Sequence, residues 1–350
     1  MLIKVEFIGA AALCGCPYLK TISVDRNNSR YVVKDEILYD KKEKAVVAYM
    51  QGYDGKSSKK EPIVILDGIQ KINDYAFYWM DYDPYDTNKR ETIYVSIPKS
   101  VSSIGAYAFA NRAVNVSSKN GNGWRGEKID LNLDLIGKYA FFNSVASMNL
   151  MVQKMEEHAF EEFYGAECFS CECENIPNYA FYKAKFSSSN TDDYRDCVFI
   201  GIKSIGDYAF SEANSINGID FSSCIYIGNN AFEECRCGYI SWRGIRPKFL
   251  IHAEHIGDRA FYACDWVVED FFELSEGVVS IGRQAFCGSY SDQYVEKMYI
   301  PETVTIIDEL AFERSKTTVI VEPDSYAEYW AGAEVTVPSI SCMPQSFRLL

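Results

Sequence analysis

The dipeptide Ala-Phe recurs ten times in this chain of 350 residues, and no other feature restricts its fold as tightly. The phenylalanines are Phe77, Phe109, Phe141, Phe160, Phe181, Phe210, Phe232, Phe261, Phe286 and Phe312, with Ala12-Leu13 as a degenerate eleventh copy. Aligning the copies on that aromatic reveals three further columns. Five residues earlier stands Ile8, Ile72, Ile104, Ile136, Met155, Ile176, Ile205, Ile227, Ile256, Ile281 or Ile307. The next position is glycine in seven copies: Gly9, Gly105, Gly137, Gly206, Gly228, Gly257 and Gly282. Three residues after the aromatic a small side chain dominates, at Cys16, Ser144, Ala184, Ala213, Cys235, Cys264, Ser289 and Ser315. Met80, Arg112 and Phe163 depart from that rule.

Self-similarity at such a period is the mark of a stacked array, in which each unit buries its apolar face only against its neighbours. The isoleucine and phenylalanine columns are then apolar ladders along one continuous core. Glycine allows a backbone conformation or a close approach that a side chain forbids. The alanine occupies a place where only a methyl group fits, and the small residue after the aromatic lets coils approach. Between the Ala-Phe units, Ile93-Tyr94-Val95-Ser96-Ile97-Pro98 and Met298-Tyr299-Ile300-Pro301 alternate inward apolar with outward side chains, as a half-buried strand does. Each coil is expected to add one short strand to a parallel sheet, with a helical or 3-10 turn carrying Ala-Phe on the other side.

This signature, Ile-Gly-x-x-Ala-Phe-x-x-small followed by a short strand, resembles the BspA-like leucine-rich repeat. The stretch Val319 to Trp330 resembles the way such arrays end, in a strand and a short amphipathic helix, and Tyr31–Asp40 with Ala45–Tyr49 resembles their β-hairpin interruption. The expected organisation is a single leucine-rich-repeat solenoid over 1–350. About eleven right-handed coils span 5–315, the hairpin interrupts at 31–50, and a cap and tail occupy 316–350. Successive Ala-Phe units lie 32, 32, 19, 21, 29, 22, 29, 25 and 26 residues apart, so the longer intervals carry polar surface loops. The copy around Met155 and Phe160 is the least regular and is expected to mark a local bend.

A formal net charge of −14 disfavours a nucleic-acid surface, which needs clustered Lys and Arg. No apolar run reaches the roughly 18–20 residues needed to span a bilayer, so membrane insertion is not expected. The first residues, Met1 to Ile8, carry charges within a short apolar stretch and do not form a signal peptide. This fits a cytoplasmic chain or one whose leader has been removed.

Candidate chemistry is sparse. Cys168, Cys171 and Cys173 are the densest group among twelve cysteines; metal and disulfide readings are open to them, but packed core thiols explain them best. Cys16, Cys235 and Cys264 stand where other copies use Ser or Ala and are expected in the core. His252 and His255, even with Asp258, lack a further ligand at credible spacing, and His158 is expected to face solvent. Asn27 and Asn115 begin acceptor sequons of a kind common by chance. No nucleophile elbow, phosphate loop, zinc-protease helix or dinucleotide fingerprint occurs, so neither catalysis, metal nor cofactor is expected.

Stacking about eleven coils at roughly 4.8 Å gives a sheet on the order of 50 Å long, suited to a macromolecular ligand. Strand alternation points Tyr94, Ser96, Asn149, Asp220, Ser241 and Tyr299 outward as a possible protein-binding face. The resemblance implies a cell-surface or secreted, adhesin-like interaction protein, with a host or matrix protein as partner; a cytoplasmic scaffold is the alternative. A monomer is the default. The first test is energetic: Phe210→Ala should lower unfolding stability by about 3–5 kcal/mol in a denaturant titration.

Overall fold

The computed structural model describes residues 4–14, 16, 19–50, 63–79, 92–115, 130–186, 197–216, 218–237, 249–266, 272–288 and 297–332. It is a mostly-β solenoid. A representative coil runs through three short strands, Lys185–Phe186, Cys197–Ile200 and Ser204–Ile205, before turning through Phe210. Neighbouring coils pair these strands in parallel. One ladder follows Tyr164, Lys185, Asn214, Arg236 and Asp265. A second carries Leu131, Leu150, Cys171, Phe199 and Ile219 inward and resumes at Ile251 and Leu274. The third is the isoleucine column, Ile72 to Ile104 to Ile136, then Ile176 through Ile205, Ile227, Ile256 and Ile281 to Ile307.

That third ladder is broken once, between Met155 and Ile176. In regular coils the residue after the isoleucine donates its N–H backwards, as Gly206 does to Ile176 O at 2.8 Å and Gly228 to Ile205 O at 2.8 Å. Pro177 holds this position in its coil and has no N–H to give. The phenylalanine stack runs on past the break: consecutive rings from Phe77 to Phe312 lie 5.0–5.3 Å apart between centroids and nearly parallel. Tyr49 ends the stack on one side at 5.5 Å from Phe77, and Trp330 on the other at 5.6 Å from Phe312, both rings tilted.

The Ala-Phe turns are not helical, contrary to the expectation from sequence. Each described turn from Phe109 to Phe261 is bracketed by left-handed residues two before and two after the phenylalanine, for example Tyr208 (φ 56°) and Glu212 (φ 55°) around Phe210. The alternation sends every second N–H into the next coil: Tyr208 donates to Asn229 O, Phe210 to Ala231 O and Glu212 to Glu233 O, at 2.7–3.0 Å. The intervening N–H groups close tight turns within the coil, as Ala209 does to Gly206 O and Ser211 to Tyr208 O. A left-handed non-glycine residue costs roughly 1–2 kcal/mol. A helix would avoid that cost but point its N–H groups along its own axis, leaving neighbouring coils unbonded.

The glycine column serves close approach. A Cβ built on Gly206 would lie 2.5 Å from Asn178 Oδ1 and 2.6 Å from Asn178 N in the preceding coil. That asparagine side chain is itself a rung: Asn178 Oδ1 accepts from Asp207 N, Asp207 Oδ1 from Asn229 N, Asn229 Oδ1 from Asp258 N and Asp258 Oδ1 from Arg283 N, each at 2.8 Å. The removed Cβ makes room for a carboxamide or carboxylate to cap the next turn.

Both ends are closed by irregular pieces. At the start, β1 (Tyr31–Lys34), β2 (Ile37–Asp40) and β3 (Ala45–Tyr49) form an antiparallel meander whose last strand pairs in parallel with Lys71–Ile72. One face, with Ile37, Tyr39 and Val46, joins the main core; the other, with Tyr31, Leu38 and Met50, packs on Ile8, Leu13, Ile22 and Val24 as a separate small core. At the far end the helix α1 (Tyr326–Ala331) follows the strand Thr318–Val321 and buries Ala327. Ser325 caps it by accepting from Glu328 N, and Glu328 reaches back to Asp324 N. Gly206→Ala should cost about 1–3 kcal/mol from overlap with Asn178, and Asn178→Gly in the same chain should recover part of that loss in thermal unfolding.

Candidate functional site

The second ladder presents its outward side chains to solvent in registered rows. Asn132, Met151, Glu172 and Ile200 are aligned on successive strands, and Asp220 follows, one residue past the Phe199–Ile219 pair. All five are exposed, Met151 by 49% and Ile200 by 42%. Two apolar side chains thus alternate with polar or acidic ones along a row rising one coil at a time. Asn149 stands in the adjacent row, half-buried, its Oδ1 accepting from Ser170 Oγ at 2.8 Å.

The residues singled out from sequence therefore lie as follows. Asn149 and Asp220 share one sheet face, in rows two positions apart. Asp220 Oδ1 accepts from Ser222 N at 2.9 Å, which shapes the bend that follows the strand. Tyr299 belongs to a different sheet, the four strands Phe249–Ile251, Phe272–Leu274, Lys297–Ile300 and Thr318–Val321. It is half-buried and its hydroxyl donates to Glu322 Oε1 at 2.7 Å; burial first, and then the Glu322 carboxylate, push its pKa up. Ser96 is half-buried in the strand Thr92–Ser96, opposite Val64. The Tyr94 side chain and Ser241 fall outside the described residues. Among the described residues of this set, Tyr299 lies in a separate sheet from Asn149 and Asp220.

A second surface feature escaped the sequence reading although the same alignment contains it. Two residues before each phenylalanine, at the left-handed position, stand Tyr75, Tyr107, Tyr139, His158, Tyr179 and Tyr208. Their rings stack outside the turns at 4.5–4.9 Å between centroids, a second aromatic ladder parallel to the buried one. His158 lies on this outer face as expected, but its ring is largely covered. It is sandwiched between Tyr139 and Tyr179, its side chain 18% exposed, with Nδ1 2.7 Å from Glu161 Oε2. Burial raises the Glu161 pKa, partly offset by the histidine. Beyond Tyr208 the column turns polar: Asn230 donates to Glu233, Arg259 pairs with Glu233 and lies 3.7 Å over the Tyr262 ring, and Gln284 donates to Glu313 at 2.5 Å.

The cysteines are part of the core. Cys171 is buried in the strand Tyr164–Glu172 and Cys173 just past its end, and Cys173 and Cys224 take places filled by Val101, Leu133, Val152 and Ile202 in other coils. The Cys173 and Cys224 thiols donate to the carbonyls of Asn175 and Tyr226, at 3.1 and 3.4 Å. Cys235 and Cys264 are buried as expected, whereas Cys16, also expected in the core, is exposed. Cys168 has its side chain outside the described residues. His255 Nδ1 lies 2.9 Å from Ser280 Oγ, and Asp258 is engaged with Arg283 N. Among the described residues, no three His, Cys, Asp or Glu side chains gather as a metal site, and no helix is long and apolar enough to cross a membrane.

The model of the BspA-type leucine-rich repeat region matches six copies over residues 55–118, 127–237 and 254–330, most of the chain. The chain belongs to this family. No curated protein matches it. Among solved structures, it is similar to a leucine-rich cell surface protein from Faecalibacterium prausnitzii, at 17% identity and TM-score 0.35, over 85% of this chain and 96% of the other. It is also similar to the pneumococcal vaccine antigen PcpA, at 13% identity and TM-score 0.30, over 84% and 94% of the two chains.

Two measurements check this description. His158→Ala removes both ring contacts and strands Glu161, so it should cost about 1–3 kcal/mol, whereas His158→Tyr keeps the stack and should cost less. The Cys224 thiol is pushed by burial from 9.0 up to about 12, so the unfolded chain ionises it first. Its contribution to stability is complete below pH 9 and is lost as pH rises toward 12, so Cys224→Ala should flatten the alkaline limb of a stability–pH curve.

Proposed function

We propose that this chain is a non-catalytic protein-interaction module acting as one repeat array over residues 1–350, exposed at a cell surface or secreted. Family membership supports the class, and the row Asn132, Met151, Glu172, Ile200 and Asp220 is the observation that carries the reading. A mixed apolar and acidic strip on a parallel sheet suits a protein partner, since apolar side chains supply contact area and the carboxylates select against like-charged surfaces. Asn149 stands in the row beside it, and Tyr94, Ser96, Ser241 and Tyr299 are proposed as further recognition residues away from this row. Host or matrix proteins are the partners to test first.

The test has two arms. Protease shaving of intact source cells should release peptides of this chain. The purified array should then retain a partner from a panel of matrix proteins and cell extracts, and Glu172→Lys with Ile200→Asp should weaken that partner by at least about tenfold. Retention of nothing across the panel would remove the reading. A second reading, an intracellular scaffold, draws on the thiols at Cys173 and Cys224, which are not joined in disulfides. Protection from shaving until lysis, with those thiols intact in protein from the native cell, would favour it.

A further inference from the structure

We propose that the N-terminal end of the tyrosine ladder is a binding site for an uncharged planar aromatic ring with a hydrogen-bond acceptor on its rim. The ladder stops at Tyr75 for a reason visible in the backbone. The coil before Tyr75 is supplied by β3: Asn73 N donates to Val46 O as Gly105 N does to Ile72 O, and Tyr49 N donates to Ala76 O as Phe77 N does to Ala108 O. Val46 and Tyr49 therefore hold the isoleucine and phenylalanine places. Only two residues separate them where a regular coil has four, so this rung has no residue at the ladder position. The turn before it belongs to the degenerate first copy. There Ala11, with the same left-handed backbone (φ 60°), brings a methyl group where later copies bring a ring.

A cavity of about 50 Å³ lies at this point, bounded by Tyr75, Ala11, Leu13, Val47, Met50 and Trp79. Ala11, Ala12 and Cys16 on its boundary are exposed, so it reaches the surface. Its chemistry selects the ligand. The ladder repeats at 4.9 Å from Tyr75 onward, the distance at which a further flat ring would stack. Asp74 and Arg112 both stand on the boundary, so neither an anion nor a cation is favoured outright, and burial, then Cys16, raises the pKa of the Cys14 thiol. The Trp79 side chain is buried, and its indole N–H has no hydrogen-bond acceptor among the described residues. A donor left in that state costs free energy that a ligand oxygen or ring nitrogen can recover.

The ring can come from a partner's side chain or from a free small molecule, and two probes separate these: acetyl-Gly-Tyr-Gly-amide and p-cresol, titrated into the full chain by calorimetry and ligand-observed NMR. At least one should bind with a dissociation constant on the order of 1 mM or tighter. Ala11→Tyr puts a ring on the boundary of the cavity, where it competes for the space, in a backbone conformation that Tyr75, Tyr107, Tyr139, Tyr179 and Tyr208 already adopt. It should weaken binding by at least about tenfold. Tyr75→Leu, which removes the stacking surface, should do the same and serves if Ala11→Tyr does not fold. Tyr208→Leu, at the far end of the ladder, should leave binding unchanged, as should Glu172→Lys on the sheet face. Peptide binding alone indicates a partner side chain, and cresol binding indicates a free aromatic. No binding of either probe to the unsubstituted chain, or binding indifferent to both Ala11→Tyr and Tyr75→Leu, overturns the proposal.

Discussion

Every regular feature of this solenoid answers to one distance, the rise from coil to coil. Parallel backbone hydrogen bonding sets it near 4.8 Å, and aromatic rings stacked face to face tolerate almost the same value. The buried phenylalanines sit at 5.0–5.3 Å and the outer tyrosines at 4.5–4.9 Å, so backbone pairing and ring stacking reinforce one another. Anything bulkier than a methyl group between the strand and the ring would force the coils apart, and the alanine column is buried without exception from Ala76 to Ala311. The glycine column answers to the same limit, because the space a Cβ would take is held by the preceding coil's backbone and its Asn or Asp side chain.

The turn conformation follows from this too. Two left-handed residues per turn are costly one by one, yet they aim three N–H groups at the next coil's carbonyls. A tight corner whose polar groups are all satisfied by its neighbours can be repeated indefinitely, and the strain is offset by cooperation along the stack. The same geometry throws the left-handed side chain outward, one above another. An aromatic there becomes a ladder, and Asn230, Arg259 and Gln284 become a chain of polar contacts.

Such an architecture divides labour between columns. Inward columns are interchangeable parts, where Cys173 and Cys224 replace aliphatic residues because a thiol is small, soft and able to donate to a nearby carbonyl. Outward columns are free to vary, so recognition is expected where the repeat is silent, on the row from Asn132 to Asp220. Irregularities sit where a rung departs from the pattern: Pro177 without its N–H, and the short rung at β3 that leaves Tyr75 with an open face.

Much of this was legible in the chain itself. The Ile, Gly, Ala-Phe and small-residue columns determined a stacked array, its core and its family resemblance, because a repeat reports the same packing demand ten times over. The column two before the phenylalanine was equally present in the alignment, but a tyrosine gives no hint whether its ring will stack or point to solvent. Three things were decided only by the tertiary structure. The turns proved left-handed rather than helical, since the advantage of that conformation lies in hydrogen bonds to another coil, which local propensity does not contain. His158 was drawn between two rings by neighbours 19 and 21 residues away. The gap at Ala11 exists because β3, distant in pattern from any repeat, fills the intervening rung with two residues too few.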